Sequence, residues 1–175
     1  MLKRKPVMED FEVIYQEYYQ RIFAFLFKMC QDRDLSEELT QESFYQALKS
    51  FHRYDGNCTL FTWLASIAKN TYFKHLRKLA GRQSEFPIVD DFSIASGDED
   101  DPAELLQKRS ELDALRRIID RLPEKYKDVV TLRIYGDLPF AEIAGVLKIS
   151  ENSAKVLFYR AKNQIREELS HDNFL

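Results

Sequence analysis

Apolar residues recur every three or four positions along most of the chain, which is the period of an amphipathic α-helix. In the first half, such stripes cover residues 11–29, 39–51 and 60–76. Between the last two stripes, the segment 52–58 (HRYDGNC) carries an Asp-Gly-Asn turn signal and is predicted to be a loop. This half is therefore predicted to form three helices.

Four more apolar stripes follow from Leu105 onward, over 112–122, 126–134, 140–147 and 154–169. Pro123 and Pro139 are predicted to begin the second and third of these helices, because proline favours the first helical turn. No segment alternates apolar and polar residues over a useful length. The fold is therefore predicted to be all-α.

Hydroxyl side chains mark three of the predicted helix starts. Ser36 is predicted to cap the second helix and Ser150 the last, while either Thr59 or Thr62 can cap the third. The third helix is expected to end near Gly81.

The segment 84–104 differs from both halves in composition. It contains Pro87, Pro102 and eight acidic residues, has no Lys or Arg, and shows no periodic apolar face. Such a segment cannot bury enough apolar surface to offset the entropy of ordering it, so we expect a flexible acidic linker. The chain is thus predicted to form two small helical domains, 1–83 and 105–175.

The net charge of −3 over 175 residues, taken alone, disfavours nucleic-acid binding. The linker, however, carries a net charge of −8, whereas residues 1–83 carry +3 and residues 105–175 carry +2. Each predicted domain is therefore weakly basic, which is compatible with contacts to phosphates.

Membrane and secretion signals are missing from the sequence. No apolar run approaches the roughly 20 residues that cross a bilayer, and no apolar stretch follows the basic N-terminal residues. Cys30 and Cys58 lie outside any CxxC pattern and are interpreted as free thiols, with a disulfide left open by sequence alone. We expect a cytoplasmic protein without membrane insertion.

Patterns typical of catalysis or metal binding are also missing. Only His171 follows a glutamate by three residues, whereas a di-iron carboxylate bundle needs two such pairs, and His52 with Cys58 lacks two further ligands. No glycine-rich phosphate loop is found, and the acidic run 98–101 lacks the alternating ligands of a calcium loop. We expect no enzyme activity, no cofactor and no metal site.

The strongest local motif spans residues 139–164, where a short helix, a turn of about three residues and a longer helix fit a helix-turn-helix. Ala144 is small where the helices would cross, and Ile149 is apolar within the turn. The second helix of this motif enters the major groove of DNA, although an ordinary helical hairpin with a polar face has the same spacing. The candidate DNA-reading residues are Ser150, Glu151, Asn152, Ser153, Lys155, Tyr159, Arg160 and Lys162.

Two polar helix faces in the first half are further candidates. The third helix presents Lys69 and the residues Asn70, Phe73, Lys74, Arg77 and Lys78 outward, where cations bind phosphates and aromatic rings stack on unpaired bases. A solvated amphipathic helix, with Trp63 and Tyr72 in the core, is the alternative. The acidic face Glu37, Glu38, Gln41 and Glu42 suits either a basic protein partner or plain solvent.

These blocks together resemble a bacterial sigma factor of the extracytoplasmic-function group, over roughly residues 10–83 and 105–170. DLSEELTQESF resembles the family's core-binding helix, and FTWLASIAKNTYFKHLRK resembles its W-L-x-x-I-A-x-N segment, which recognises the minus-ten element. LPEKYKDVVTLRIYGDLPFAEIAGVLKIS, followed by VLFYRAK, resembles the family's fourth region, which reads the minus-thirty-five element as duplex. The resemblance implies a sigma region 2-like domain and a region 4-like domain.

The resemblance also implies roles for residues. Glu38, Gln41 and Glu42 would dock on the clamp coiled coil of the polymerase largest subunit, and Asn70 would contact the melted minus-ten strand. The loop 52–58, with Tyr54, would capture a flipped-out base. The implied partners are core RNA polymerase, promoter DNA and an anti-sigma factor, with a monomer when none is bound.

Five residues, at three places in the chain, depart from the family's usual pattern. Lys148 stands where glycine is frequent, Asn152-Ser153-Ala154 stand where glycine-threonine-valine is preferred, and Leu157 occupies a position that is often basic. Two other functions stay open: a dimeric helix-turn-helix repressor, which has no need of the SEELTQESF block, and a helical adaptor protein that uses the acidic strip.

Overall fold

The computed structural model describes residues 8–82 and 102–172, and in these ranges the chain forms helices and turns without a strand. The helices are α1 (Met8–Cys30), α2 (Arg33–Ser50), α3 (Leu60–Arg82), α4 (Pro102–Arg121), α5 (Glu124–Ile134), α6 (Phe140–Leu147) and α7 (Glu151–Asp172), with a 3₁₀ turn at Phe51–Arg53. The predicted all-α fold is confirmed. Most of the predicted linker lies outside the described residues, and its last residues, 102–104, belong to α4.

Helices α1, α2 and α3 pack against one another and form the first lobe. Its centre contains the fully buried residues Ile22, Leu26 and Leu64. Phe44 of α2 closes one side, with its ring edge-on to that of Tyr15 at 4.8 Å between centroids. Edge-to-face contacts of this kind stabilise aromatic clusters beyond the area they bury.

The start of α2 corrects one predicted cap. The N-cap is Asp32, whose Oδ1 accepts a hydrogen bond from the backbone N–H of Leu35 at 2.9 Å. Ser36 is instead fully buried inside the first turn, where its hydroxyl bonds to the Asp32 carbonyl and lies 3.0 Å from Cys30 Sγ. Because a carboxylate already caps the helix, the hydroxyl is free to bond within the core.

Helices α4 to α7 form the second lobe around Ile118, Val129, Leu132 and Ile143. Pro123 and Pro139 immediately precede α5 and α6, as predicted. The connection between α6 and α7 passes through Lys148 in the left-handed conformation, with φ of 56°.

Three apolar side chains predicted to face inward are exposed. Leu48 and Ile134 lie in the last turns of α2 and α5 and are 40% and 44% exposed. Leu112 is 45% exposed, because burial along α4 begins only at 114–115. Helical period locates a face correctly but not the length over which a neighbour covers it.

Candidate nucleic-acid interface

An open groove of about 780 Å³ runs between α2 and α3 and carries opposite charges on its two walls. Glu38, Gln41 and Glu42 line the α2 wall, and Asn70, Lys74 and Lys78 line the α3 wall. All six are exposed, and the α3 residues are spaced four apart on one face of the helix. The structure thus brings the predicted polymerase-binding residues and three of the predicted minus-ten residues to one surface.

Tyr45 is a residue of this groove that sequence reasoning missed. It is 55% exposed and lies one turn beyond Gln41, with the Lys49 ammonium 5.1 Å from its ring centroid. Its position off the apolar stripe of α2 was the available signal. Aromatic side chains such as tyrosine are enriched at protein interfaces.

Phe73 and Lys69, predicted to face outward on α3, are buried. Phe73 is 3% exposed, and its ring lies beneath the ammonium of Lys127 from the second lobe, 4.8 Å from the centroid. Lys69 is 2% exposed and forms an ion pair with Asp128 of α5. The second lobe covers this side of α3, so only Asn70, Lys74, Arg77 and Lys78 of the predicted face are exposed.

The loop before α3 is held in place by Tyr54. Its hydroxyl donates to the Cys58 carbonyl at 2.7 Å, and its ring packs against Phe51 and Trp63 at 6.0 and 5.4 Å between centroids. Burial is the main reason that the pKa of Tyr54 is raised. The core interpretation of Trp63 is thereby supported, and Tyr72 is likewise buried, at 6% exposed.

The N-terminus of α3 meets the helix-turn-helix through Glu142 of α6. The Glu142 carboxylate accepts hydrogen bonds from the backbone N–H of Thr59 at 2.7 Å and from the hydroxyl of Thr62 at 2.9 Å. Thr59 also caps α3, since its Oγ1 accepts from the Thr62 N–H at 3.3 Å. Burial works to raise the pKa of Glu142, but the donors from Thr59 and Thr62 outweigh it and lower that pKa.

The helix-turn-helix has the predicted form. The rings of Phe140 and Phe158 pack edge-on at 5.5 Å where α6 and α7 cross, and Ala144 and Ala154 are buried at the crossing. Ser150 caps α7 as predicted, because its Oγ accepts from the Ser153 N–H at 3.0 Å.

All eight predicted DNA-reading residues around α7 are exposed, and two pairs of them bond to each other. The hydroxyls of Ser150 and Ser153 lie 2.7 Å apart, and Lys155 forms an ion pair with Glu151 at 2.7 Å. Val156, which sequence reasoning missed, is 39% exposed one turn beyond Asn152. Apolar side chains in this setting contact thymine methyl groups in the major groove.

Among the described residues, no group of three or more metal-ligating side chains comes together. No helix in those ranges is both long and apolar enough to cross a membrane.

Two family models match the chain, in the order of its two lobes. The family model for Sigma-70 region 2 matches residues 14–82, and that for Sigma-70, region 4 matches residues 112–165. The first match covers the groove and the loop before α3, and the second covers the helix-turn-helix.

Characterised relatives span nearly the whole chain. The ECF RNA polymerase sigma factor SigM of Bacillus subtilis is 29% identical over 155 residues, which is 87% of this chain and 91% of the relative. The RNA polymerase sigma-H factor of Pseudomonas aeruginosa is 25% identical over 165 residues, which is 91% of this chain and 86% of the relative.

Two solved structures share the fold at 17% identity. The sigma factor RpoE from Bartonella quintana, in complex with the anti-sigma factor NepR, has a TM-score of 0.57 over 93% of this chain and 98% of that chain. CnrH, in complex with the cytosolic domain of CnrY, has a TM-score of 0.52 over 95% of this chain and 91% of that chain.

Proposed function

The chain belongs to the sigma-70 family as an RNA polymerase sigma factor of the extracytoplasmic-function group, and from that membership we propose how its surfaces divide the work. A sigma factor directs core RNA polymerase to specific promoters and initiates transcription there. The proposal assigns residues 1–83 to the polymerase and the minus-ten element, residues 84–104 to a linker, and residues 105–175 to the minus-thirty-five element.

Core RNA polymerase is assigned to the α2 wall of the groove. Glu38, Gln41 and Glu42 are exposed there and spaced along one face of α2. Tyr45 extends the same face with an apolar ring. Acidic groups beside an exposed aromatic residue suit a basic helical partner, because the charges orient it and the ring supplies buried area.

The melted minus-ten strand is assigned to the α3 wall and to the loop with Tyr54. Asn70 carries both donor and acceptor atoms for a base edge, whereas Lys74, Arg77 and Lys78 contact phosphates. The groove geometry supports this assignment, since Asn70 lies at the same surface as the acidic α2 wall. Polymerase and the melted DNA strand would thus bind along one continuous surface. The main support for the proposal is that residues of both walls line the same groove.

Duplex DNA at the minus-thirty-five element is assigned to the N-terminal half of α7. Asn152, Lys155, Val156 and Tyr159 share one exposed face, and Arg160 and Lys162 flank it. Helix-turn-helix proteins place this part of the second helix in the major groove. Because both lobes are only weakly basic, the free protein is expected to bind DNA weakly and to depend on polymerase for affinity.

Regulation by an anti-sigma factor is part of the proposal. RpoE of Bartonella quintana is bound to the anti-sigma factor NepR, and CnrH is bound to the cytosolic domain of CnrY. We infer the same class of partner for this chain, together with action in the cytoplasm as a monomer and no catalytic activity of its own.

The test is run-off transcription with purified core polymerase over a pool of promoter fragments. We expect the protein to co-elute with core polymerase and to start transcription at defined sites. Absence of both results would overturn the assignment, whereas tight binding to a palindrome without polymerase would favour a repressor.

The roles of the two groove walls are tested separately, by charge-reversal variants of α2 and a truncation variant of α3. Glu38→Lys with Glu42→Lys should abolish co-elution with core polymerase, while the same change at the exposed acids Glu12 and Glu17 of α1 should not. Asn70→Ala should reduce open-complex formation by about tenfold with co-elution intact, because it removes base contacts worth about 1–3 kcal/mol. Loss of co-elution in Asn70→Ala would show that the walls are wrongly assigned.

A further inference from the structure

The two lobes meet along α3 near its start and at its middle. Near its start, Glu142 of α6 bonds to Thr59 and Thr62, and at mid-helix Lys69 pairs with Asp128. Around this contact lie two exposed ion pairs, Lys28 with Asp137 at 3.3 Å and Asp55 with Lys148 at 3.7 Å. We call this the closed arrangement.

Gly145 of α6 is explained by this contact. A Cβ at position 145 would lie 2.3 Å from the backbone oxygen of Asn57 and 3.4 Å from Cys58 Cβ, both in the loop of the first lobe. Glycine inside a helix costs about 1 kcal/mol relative to alanine, so α6 by itself would be more stable with alanine. Glycine at position 145 therefore allows the two lobes to approach each other closely.

Glu142 completes the contact on the same face of α6. Its carboxylate takes two donors from the start of α3, including a backbone N–H of the kind that has no partner within a helix. Hydrogen bonds to an ionised carboxylate are roughly twice as strong as neutral ones. Glu142 therefore fastens the loop 52–58 and the N-terminus of α3 to the helix-turn-helix.

The middle of α3 is covered in the same way. Lys69 and Phe73 are buried against Asp128 and Lys127 of α5. A cavity of about 10 Å³, close to the space that one water molecule needs, lies between the lobes beside Tyr72 and Tyr135. The lobes are thus closely packed in the described residues.

The closed arrangement cannot bind both promoter elements at once. The minus-ten and minus-thirty-five elements lie about 25 base pairs apart, or about 85 Å along duplex DNA. Helix α6, with eight residues, is only about 12 Å long, and it contacts both the start of α3 and Phe158 of α7. The lobes must separate before both surfaces reach their elements.

We propose that Glu142 and Gly145 form a latch that holds the free protein closed, covers the loop 52–58 from one side, and opens when core polymerase binds. The consequence for promoters rests on the proposed function, whereas the latch itself is a property of the free chain. Opening exposes the loop and the buried side of α3 together.

The two natural cysteines, Cys58 and Cys30, provide a readout of whether the latch is closed. Cys58 lies beneath Gly145, and burial, together with the nearby charges of Glu142 and Asp55, raises the pKa of its thiol from the ordinary 9.0 to about 11. Its reactive thiolate is therefore scarcer in the closed arrangement than in an open chain. Cys30 is buried inside the first lobe and reports only on unfolding of that lobe.

The decisive variant is Gly145→Ala, with Gly81→Ala as its control, because a Cβ at position 81 of α3 meets nothing within 4 Å. Alkylation of each cysteine is followed by mass spectrometry in the free protein. Gly145→Ala should speed alkylation of Cys58 by about tenfold or more without exposing Cys30, and Gly81→Ala should change neither. Gly145→Ala should also lower the amount of protein needed for half-maximal run-off transcription.

A second readout avoids the influence of Glu142 on the Cys58 thiol. A zero-length carbodiimide should join Lys28 to Asp137 in the free wild-type protein, and the cross-link should be lost in Glu142→Ala and on addition of core polymerase. Rapid alkylation of Cys58 in the wild type, or a cross-link that persists in both Gly145→Ala and Glu142→Ala, would overturn the latch. Failure of transcription with a protected Cys58 would instead overturn the proposed function and leave the latch standing.

Discussion

Helices α3 and α7 are alike in length and in the type of N-terminal cap, but they differ in what packs around them. They are 23 and 22 residues long, and each begins at a hydroxyl cap, Thr59 and Ser150. The candidate DNA-reading residues of α7 are all exposed. On α3 the corresponding face is divided, since Asn70 and Lys74 are exposed while Lys69 and Phe73 lie under the second lobe.

The difference shows what a polar residue on a helix can mean. A helix whose neighbours lie on one side has one apolar stripe, and its other residues face solvent, as on α7, which packs on α4, α5 and α6. Helix α3 packs on α1 and α2 and is also covered by α5 and α6 of the second lobe, so it buries a second face, where a long cation becomes an interior group when a carboxylate meets it. Lys69 and Lys74 are the same residue type five positions apart, but the second lobe covers only Lys69 and supplies Asp128 as its partner.

The largest effect is expected from Asp128→Ala, which removes the partner of Lys69. An unpaired buried charge costs about 3–5 kcal/mol, but here the lobes can separate and hydrate Lys69, so the change should open the protein rather than unfold it. Loss of the Lys28–Asp137 cross-link, with both lobes still helical by circular dichroism, is the expected result.

Asp113→Ala is the matched control, because Asp113 is 57% exposed and pairs with Arg116 within the same helix. Such a surface pair contributes about 0.5 kcal/mol, so the cross-link should persist. Adding Lys69→Met to Asp128→Ala should restore the closed arrangement, since an apolar pair of similar volume replaces the ions. A cross-link that survives in Asp128→Ala alone would mean that Lys69 finds another carboxylate.

The caps of the two helices are expected to differ in strength. Ser150→Ala should lower the free energy of unfolding by about 1 kcal/mol and weaken minus-thirty-five binding, because its hydroxyl is the cap of α7. Thr59→Ala should cost less, about 0.5 kcal/mol or below, since the backbone N–H of Thr59 and the hydroxyl of Thr62 keep Glu142 as partner. Chemical denaturation measures both. Equal losses would contradict the idea that Glu142 secures the start of α3.

Local features of this fold were predictable from the sequence, because their causes lie within a few residues. Pro123, Pro139 and Ser150 begin helices through their own backbone or hydroxyl chemistry. The same reasoning predicts Ser36 as the cap of α2, but Asp32 caps it, because two good capping residues stand close together and packing decides between them.

The burial of part of the polar face of α3 could not be predicted in the same way. The partner of Lys69 is 59 residues further along the chain, and that of Thr62 is 80 residues further. Helical period identifies which residues share a face, but it does not say that a second lobe covers that face. The role of Gly145 could not be predicted from the sequence either. A glycine inside a short helix has no local explanation, and its reason is the contact with the backbone of Asn57 in the other lobe.

The smallest effect concerns two residues in the left-handed conformation, one in each lobe. Gln31 follows α1 with φ of 55°, and Lys148 follows α6 with φ of 56°. Glycine adopts this conformation without the strain of a side chain, which gives a physical reason for glycine at the Lys148 position in the family. Gln31→Gly and Lys148→Gly should each raise the free energy of unfolding by about 0.5–1 kcal/mol. Lys148→Gly gives up only an exposed pair with Asp55, so its gain should match that of Gln31→Gly in chemical denaturation. A net loss in Lys148→Gly alone would show that the Asp55 pair contributes to the closed arrangement more than its exposure suggests.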